Sequence, residues 1–325
     1  MGVVLPSRDV LNIGFAHVAY RMKEVFESRA TGIRHFQVFD RAELIRRMPE
    51  IDVLVISGLW HNQLLDNAPR LRWIQSIGAG YDQFPIEKLR AGGIPLTRAY
   101  GVNRNAVAEH TFALLLALSR QIHLCRDNQA KHRYRQLISN LSEREDELGG
   151  KVLGIIGLGH IGSRVAELGK AFNMRVVGTK RDPSTYKGKA DLVLPADRSD
   201  EVFRQADFLT LNCPLTPETR EIVNERSLGL MKPSSFLVNV ARGGCVNEAA
   251  LLQALKTRKI AGAALDHFTE DPLPASSAFW DLENVIVTPH TAGETRKYEE
   301  NVIDILLENL ARIERGETKL LHQVV

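Results

Sequence analysis

The run Gly157-Leu158-Gly159-His160-Ile161-Gly162 follows the apolar stretch VLGII directly and opens the amphipathic stretch SRVAELGKAF. A GxGxxG pattern alone is a weak signal; between a buried strand and a helix it marks a βα turn whose backbone meets a pyrophosphate. Gly157 permits the tight turn, Gly159 lets the backbone approach the phosphates, and Gly162 lets helix and strand pack closely. The helix start presents N–H groups and a positive dipole end to the anion, with Leu158, His160 and Ile161 completing the turn. The next apolar run ends at Thr179, Lys180 and Arg181. A site for NAD places an acidic residue there to accept hydrogen bonds from the ribose hydroxyls. A hydroxyl and two cations suit a 2′-phosphate instead, so NADP(H) is favoured. NAD(H) stays open through Asp182, one residue further on.

These residues need a scaffold, and 325 residues suggest two domains of ordinary size. With 44% hydrophobic and 25% charged residues, disordered, collagenous and disulfide-scaffold classes are excluded. A formal charge of +3 over this length is no electrostatic footprint for nucleic acid. No run reaches the roughly 18 apolar residues of a membrane span. Cys125, Cys213 and Cys245 form no CxxC, which fits a reducing cytoplasm. Neither HExxH nor a Cys/His ligand cluster is present, and no metal is expected. Candidate strands cover 11–16, 35–39, 53–57 and 73–77 in the first third. A long helix is expected over 106–132, apolar almost all round at first and then polar and basic. Strands follow at 152–156, 175–179, 191–194, 208–212, 236–240, 261–265 and 285–288, and an amphipathic helix runs from about 294. Near-continuous apolar strands separated by helices imply parallel sheets covered on both faces.

Over nearly its full length the chain resembles the D-isomer-specific 2-hydroxyacid dehydrogenases, on the glyoxylate/hydroxypyruvate reductase side. The motifs are GLGHIG, LNCPLTPETREIVN at 211–224, VNVARGGCVNE at 238–248, ALDHFTEDPLP at 264–274 and NVIVTPHTAG at 284–293. By this resemblance Arg242 grips the substrate carboxylate and polarises the keto oxygen, work suited to a planar guanidinium. His290 resembles the general acid/base, since an imidazole titrates near neutral pH. The family has Glu before the Pro of the following turn; here Asp271 stands before Pro272. Its stem is one methylene shorter, so direct contact with His290 requires a closer loop or a bridging water. Glu270 is the alternative if the turn is re-registered. The resemblance also implies Asp266 as acceptor for the nicotinamide carboxamide, with a buried capping aspartate as the plainer reading. It lines the nicotinamide side with Cys213, Pro214, Val240 and Ala241. Ala79 and Gly80 resemble the loop whose N–H groups take the carboxylate, and Trp60 either faces the substrate or packs the domain.

The resemblance implies an α/β protein of two Rossmann-like βα domains with parallel sheets. A dinucleotide-binding domain (101–293) is inserted into a smaller, flavodoxin-like substrate domain (1–100 and 294–325). The implied activity is hydride transfer between NAD(P)H and a 2-oxo acid to give a D-2-hydroxy acid, in a cytoplasmic homodimer joined through the dinucleotide domain. Two other readings remain. One is a dinucleotide-sensing, corepressor-like protein with little turnover. The other is a formate- or phosphite-type dehydrogenase, although formate enzymes carry Gln where Asp271 stands.

Overall fold

In the computed structural model, which describes residues 3–81 and 83–325, every strand that pairs within the two sheets does so in parallel. The first unit begins with β1 (Asn12–Ala16), α1 (Met22–Ser28), β2 (Arg34–Val38), α2 (Arg41–Arg47), β3 (Val53–Ile56), β4 (Trp73–Ser76), α3 (Ile86–Ala91) and β5 (Leu96–Arg98). Its sheet runs β2-β1-β3-β4-β5, the doubly wound order of flavodoxin-like folds. All four side chains of β3 are buried, because helices cover both faces.

β5 was not among the expected strands. It is three residues long, and most of its edge pairing comes from the far end of the chain. Leu96 N–H donates to the Val325 carbonyl (3.1 Å), and Val324 N–H donates back to Leu96 (2.7 Å). The C-terminal tail thereby covers an otherwise open sheet edge.

The second unit holds α4 (Arg104–Ser119), α5 (Ile122–Ala130), β6 (Val152–Ile156), α6 (His160–Ala171), β7 (Arg175–Lys180), β8 (Leu192–Pro195), α7 (Ser199–Gln205), β9 (Phe208–Leu211), α8 (Glu225–Leu228), β10 (Phe236–Asn239), α9 (Glu248–Lys256), β11 (Gly262–Leu265) and β12 (Val285–Val287). The expected single helix over 106–132 is two. Gln121 adopts a left-handed conformation (φ 52°) at the joint. The break lies where burial ends: α4 buries Val107, Phe112, Leu115 and Leu118, whereas α5 buries nothing. The sheet order is β12-β11-β10-β9-β6-β7-β8. The strand order therefore reverses between β6 and β9, the switch point where open α/β sheets bind ligands.

The last helix, α10 (Tyr298–Glu314), returns to the first unit. There Val302, Ile303, Leu306 and Leu310 pack with Phe15, Phe26 and Trp73. The two compact units are Met1–Asn103 with Thr295–Val325, and Arg104–Glu294. Among the described residues, no helix is long and apolar enough to cross a membrane.

Candidate active site

At the β6–α6 turn Gly157 has φ +100°, and a Cβ there would lie 2.9 Å from the Cys213 backbone nitrogen. A Cβ on Gly162 would lie 2.1 Å from the Gly157 carbonyl oxygen. Only glycine tolerates either position, and the turn leads straight into the start of α6, whose N–H groups suit a pyrophosphate.

Thr179, assigned above to the ribose end, does something else. Its hydroxyl accepts the Gly157 N–H (3.2 Å) and its carbonyl accepts the Leu158 N–H (2.7 Å), so the side chain ties down the glycine turn. At 3% exposure the side chain is committed to that turn. Lys180 Nζ donates to the Leu158 carbonyl (3.3 Å), whereas Arg181 is exposed and pairs with no carboxylate among the described residues. Asp182 accepts the Ser184 N–H (3.1 Å) and hydroxyl (2.6 Å), so one of its carboxylate oxygens is engaged within its own turn.

At the end of β9, Asn212 Oδ1 accepts the Thr210 hydroxyl (2.9 Å), while its Nδ2 is buried with no partner among the described residues. That donor, beside the glycine turn, is a feature the sequence reading passed over. Next to it the Cys213 thiol is pushed far up by its hydrogen bond with Cys245 and by burial, which removes it as a nucleophile.

The exit from β10 is shaped by a buried side chain that sequence reasoning also missed. Asn239 Oδ1 accepts the Ala241 N–H (3.0 Å), and its Nδ2 donates to the Arg242 carbonyl (3.0 Å). This turn buries Val240 and Ala241 and leaves Arg242 exposed. One guanidinium N–H of Arg242 donates to the Ala241 carbonyl (2.7 Å), and no carboxylate among the described residues pairs with it. Gly243 follows, where a Cβ would lie 2.0 Å from the Phe268 carbonyl carbon. The Arg242 turn is thus pressed directly against the 266–271 segment.

His290 lies just past β12 in a left-handed conformation (φ 56°). Its N–H is shared between the carbonyls of Asp266 and Thr288 (both 3.1 Å). Its Nδ1 donates to Asp271 Oδ2 at 2.5 Å, a direct contact despite the short stem and with no need of a bridging water. With Nδ1 carrying its proton toward a carboxylate, Nε2 is left for exchange with a reactant. Glu270 is exposed and does not meet the imidazole; the Thr269 N–H donates to Glu248 Oε1 (2.6 Å), which holds the loop in this register.

Asp266 is 1% exposed. Its carboxylate accepts the Thr288 hydroxyl (2.6 Å) and the N–H groups of Thr291 (2.9 Å) and Ala292 (3.0 Å). These donors come from its own chain, as the capping reading requires, and through them Asp266 clamps the segment that carries His290. His110 Nε2 lies 3.2 Å from the Thr288 hydroxyl, and burial lowers its pKa. His267 is 8% exposed with its ring centre 3.9 Å from that of His290. Burial, then the nearby charges of His290 and Arg242, push its pKa down to about 4.

The model of the D-isomer specific 2-hydroxyacid dehydrogenase NAD binding domain matches residues 112–292, more than half of the chain. The chain belongs to the D-isomer-specific 2-hydroxyacid dehydrogenase family. It is similar to a glyoxylate reductase of Pyrococcus furiosus, 37% identical over 286 residues, 85% of this chain and 83% of that protein. Among solved structures it is similar to an acyclic imino acid reductase in complex with NADPH and D-Arg (TM-score 0.81, 26% identity, 97% of this chain and 100% of that one). It is also similar to the D-lactate dehydrogenase of Aquifex aeolicus complexed with NAD and lactic acid (TM-score 0.76, 26% identity, 94% and 96%).

In the other unit of this dehydrogenase, the loop after β4 turns its carbonyls inward. Ser76 Oγ lies within hydrogen-bond reach of the Gly78 (3.2 Å) and Gly80 (3.3 Å) carbonyls, and Arg98 Nη1 donates to Ala79 (3.2 Å). No acceptor among the described residues meets the Ala79 and Gly80 N–H groups. Trp60 is 7% exposed, stacked obliquely on Phe84 (4.8 Å), with its Nε1 donating to Asn62 (3.1 Å). It belongs to the core of its own unit.

Proposed function

We propose that this dehydrogenase reduces a small 2-oxo acid to the D-2-hydroxy acid with NADPH as the preferred donor, as a cytoplasmic homodimer. The observation that carries the reading is the His290–Asp271 hydrogen bond, in the same unit as a guanidinium, that of Arg242, with no carboxylate partner among the described residues. Arg242 binds the substrate carboxylate and draws electron density from the keto oxygen. A bound nicotinamide supplies the hydride to the keto carbon. His290 delivers a proton from Nε2 to the oxygen, and Asp271 keeps the ring in the tautomer and orientation this needs. The glycine turn and Asn212 are assigned to the cofactor's phosphates and nicotinamide side, together with Cys213, Pro214, Val240 and Ala241.

Support for NADPH rests on Arg181, exposed at the end of β7 and paired with no carboxylate among the described residues, with Asp182 engaged on Ser184. Turnover of glyoxylate, hydroxypyruvate, pyruvate and bulkier 2-oxo acids, each with NADPH and NADH, tests the whole reading. Cofactor binding without oxidation of NADPH by any acid would overturn the enzyme, and an NADH preference would overturn the cofactor assignment. Arg181→Ser should raise the KM for NADPH about tenfold or more, a lost charge-assisted phosphate contact, and leave NADH unaffected.

The second copy is assigned to the surface around α5 and the segment after it, where Ile122 (55%), Tyr134 (95%), Leu137 (101%) and Leu141 (77%) are exposed. Apolar residues gathered in this way fit an interface better than open water. A monomeric mass in solution would remove that assignment.

A further inference from the structure

We propose that His267 is a positioning residue for proton transfer: a ring floor, packed against His290, that holds the proton-donating imidazole in its working orientation. The inference rests on reading His290 as the proton donor.

The geometry of His290 shows why a floor is needed. Its backbone is in a left-handed conformation, and its ring is tethered at one atom only, Nδ1 on Asp271. Its side chain is 52% exposed. One hydrogen bond fixes a distance but leaves the ring able to swing about it. His267 supplies the missing restraint. It directly follows the Asp266 clamp, is 8% exposed, and places its ring at 58° to that of His290 with centres 3.9 Å apart. Because Asp266 also clamps the His290 segment through Thr288, Thr291 and Ala292, the floor and the ring that rests on it are held by one buried carboxylate.

Charge decides which of the two rings carries the proton. The charged and titratable groups facing His267 are Asp266 on its own segment, Asp271 from the turn, His290 after β12 and Arg242 after β10. His110, from α4, faces Asp266 instead (3.7 Å). Asp266 Oδ2 lies 3.8 Å from His267 Nε2, beyond hydrogen-bond distance. Burial and the two cationic neighbours outweigh the two carboxylates, so His267 stays neutral down to about pH 4. Two imidazolium rings at this separation would repel each other. A neutral His267 lets His290 hold the proton it delivers.

The test compares His267→Ala and His267→Phe with the wild-type protein, using glyoxylate and NADPH. His267→Ala should lower kcat by about 10- to 100-fold, the scale of a misplaced catalytic group. The KM for glyoxylate and NADPH binding should stay within about threefold. His267→Phe, which keeps a ring and has no proton to gain, should recover most of the lost kcat. It should also keep its kcat at pH values near 4 where the wild type loses activity while still folded by circular dichroism. A readout independent of turnover is the NMR shift of the His290 ring protons, which should move in His267→Ala and largely return in His267→Phe. If those shifts do not move, the ring contact is wrong. If they move while kcat in His267→Ala stays within twofold, the positioning role is wrong. A parallel loss of kcat, KM and cofactor binding would mark a merely structural residue and overturn the proposal. If no variant, wild type included, reduces any 2-oxo acid while the shifts behave as expected, the enzyme reading fails and the ring contact stands.

Discussion

Two neighbouring carboxylates, Glu270 and Asp271, offer themselves to one histidine. The choice matters because only a group on Nδ1 can hold the tautomer that leaves Nε2 free. The structure puts Asp271 there at 2.5 Å. Asp271→Asn should therefore lower kcat by about 10²-fold or more, as loss of an orienting carboxylate does elsewhere, while Glu270→Gln should stay within twofold. Steady-state kinetics of the pair settles it: equal losses, or the reverse order, would contradict the assignment. Arg242 is the other decisive side chain. Arg242→Lys retains a charge but not the planar fork, and should cost about 10²-fold in kcat/KM; Arg242→Ala should cost more, about 10³-fold. If Arg242→Lys matched the wild type, bidentate binding of the carboxylate would be refuted. Arg242 and His290 were singled out by the motifs around them, and the roles proposed for both start from that resemblance. The roles of Thr179 and Asp266 were not, because a buried hydroxyl and carboxylate look the same in a sequence whether their partner is a ligand or their own chain.

At the scale of elements, the site is made where strand ends press together. The Arg242 turn after β10 and the segment after β11 touch backbone to backbone at Gly243 and Phe268, with no space for a methyl group. Gly243→Ala should therefore push the two apart, costing about 1–3 kcal/mol of stability and lowering kcat/KM more than kcat, because Arg242 would be displaced from the carboxylate we assign to it. Thermal melting with kinetics checks this, and a folded Gly243→Ala variant of unchanged kcat/KM would show that the two strand ends tolerate separation. Elements with a long apolar run, such as β6 and β9, were legible from periodicity alone. The break at Gln121 was not, since both halves of 106–132 have helical composition and only the loss of burial separates α4 from α5. Nor was β5, a three-residue strand paired with β4 whose outer edge is covered by residues 322–325.

For the molecule as a whole, the buried histidines of the second unit couple acid to stability. Burial first, then its charged neighbours, pull the His267 pKa from the ordinary 6.5 to about 4, and burial lowers that of His110 in the same direction. Between those values the unfolded chain binds the proton and the folded chain does not, so stability rises with pH there. The contribution is present above about pH 6.5 and is lost as pH falls toward 4, on the order of 2 kcal/mol from His267. The melting temperature should drop by about 4–8 °C over that range. His267→Phe should flatten the slope; an identical slope in that variant would place the acid sensitivity elsewhere. The sequence alone determined the α/β alternation, the glycine turn and the chemical types available for catalysis, because periodicity, backbone freedom and side-chain chemistry are local properties. Only the tertiary structure decided that Thr179 and Asp266 serve the protein's own backbone, that Asp271 rather than Glu270 meets His290, and that His267 lies beneath it. Each of those outcomes depends on segments distant in the chain meeting within a few ångströms, where burial and hydrogen-bond geometry, not residue type, assign the partner.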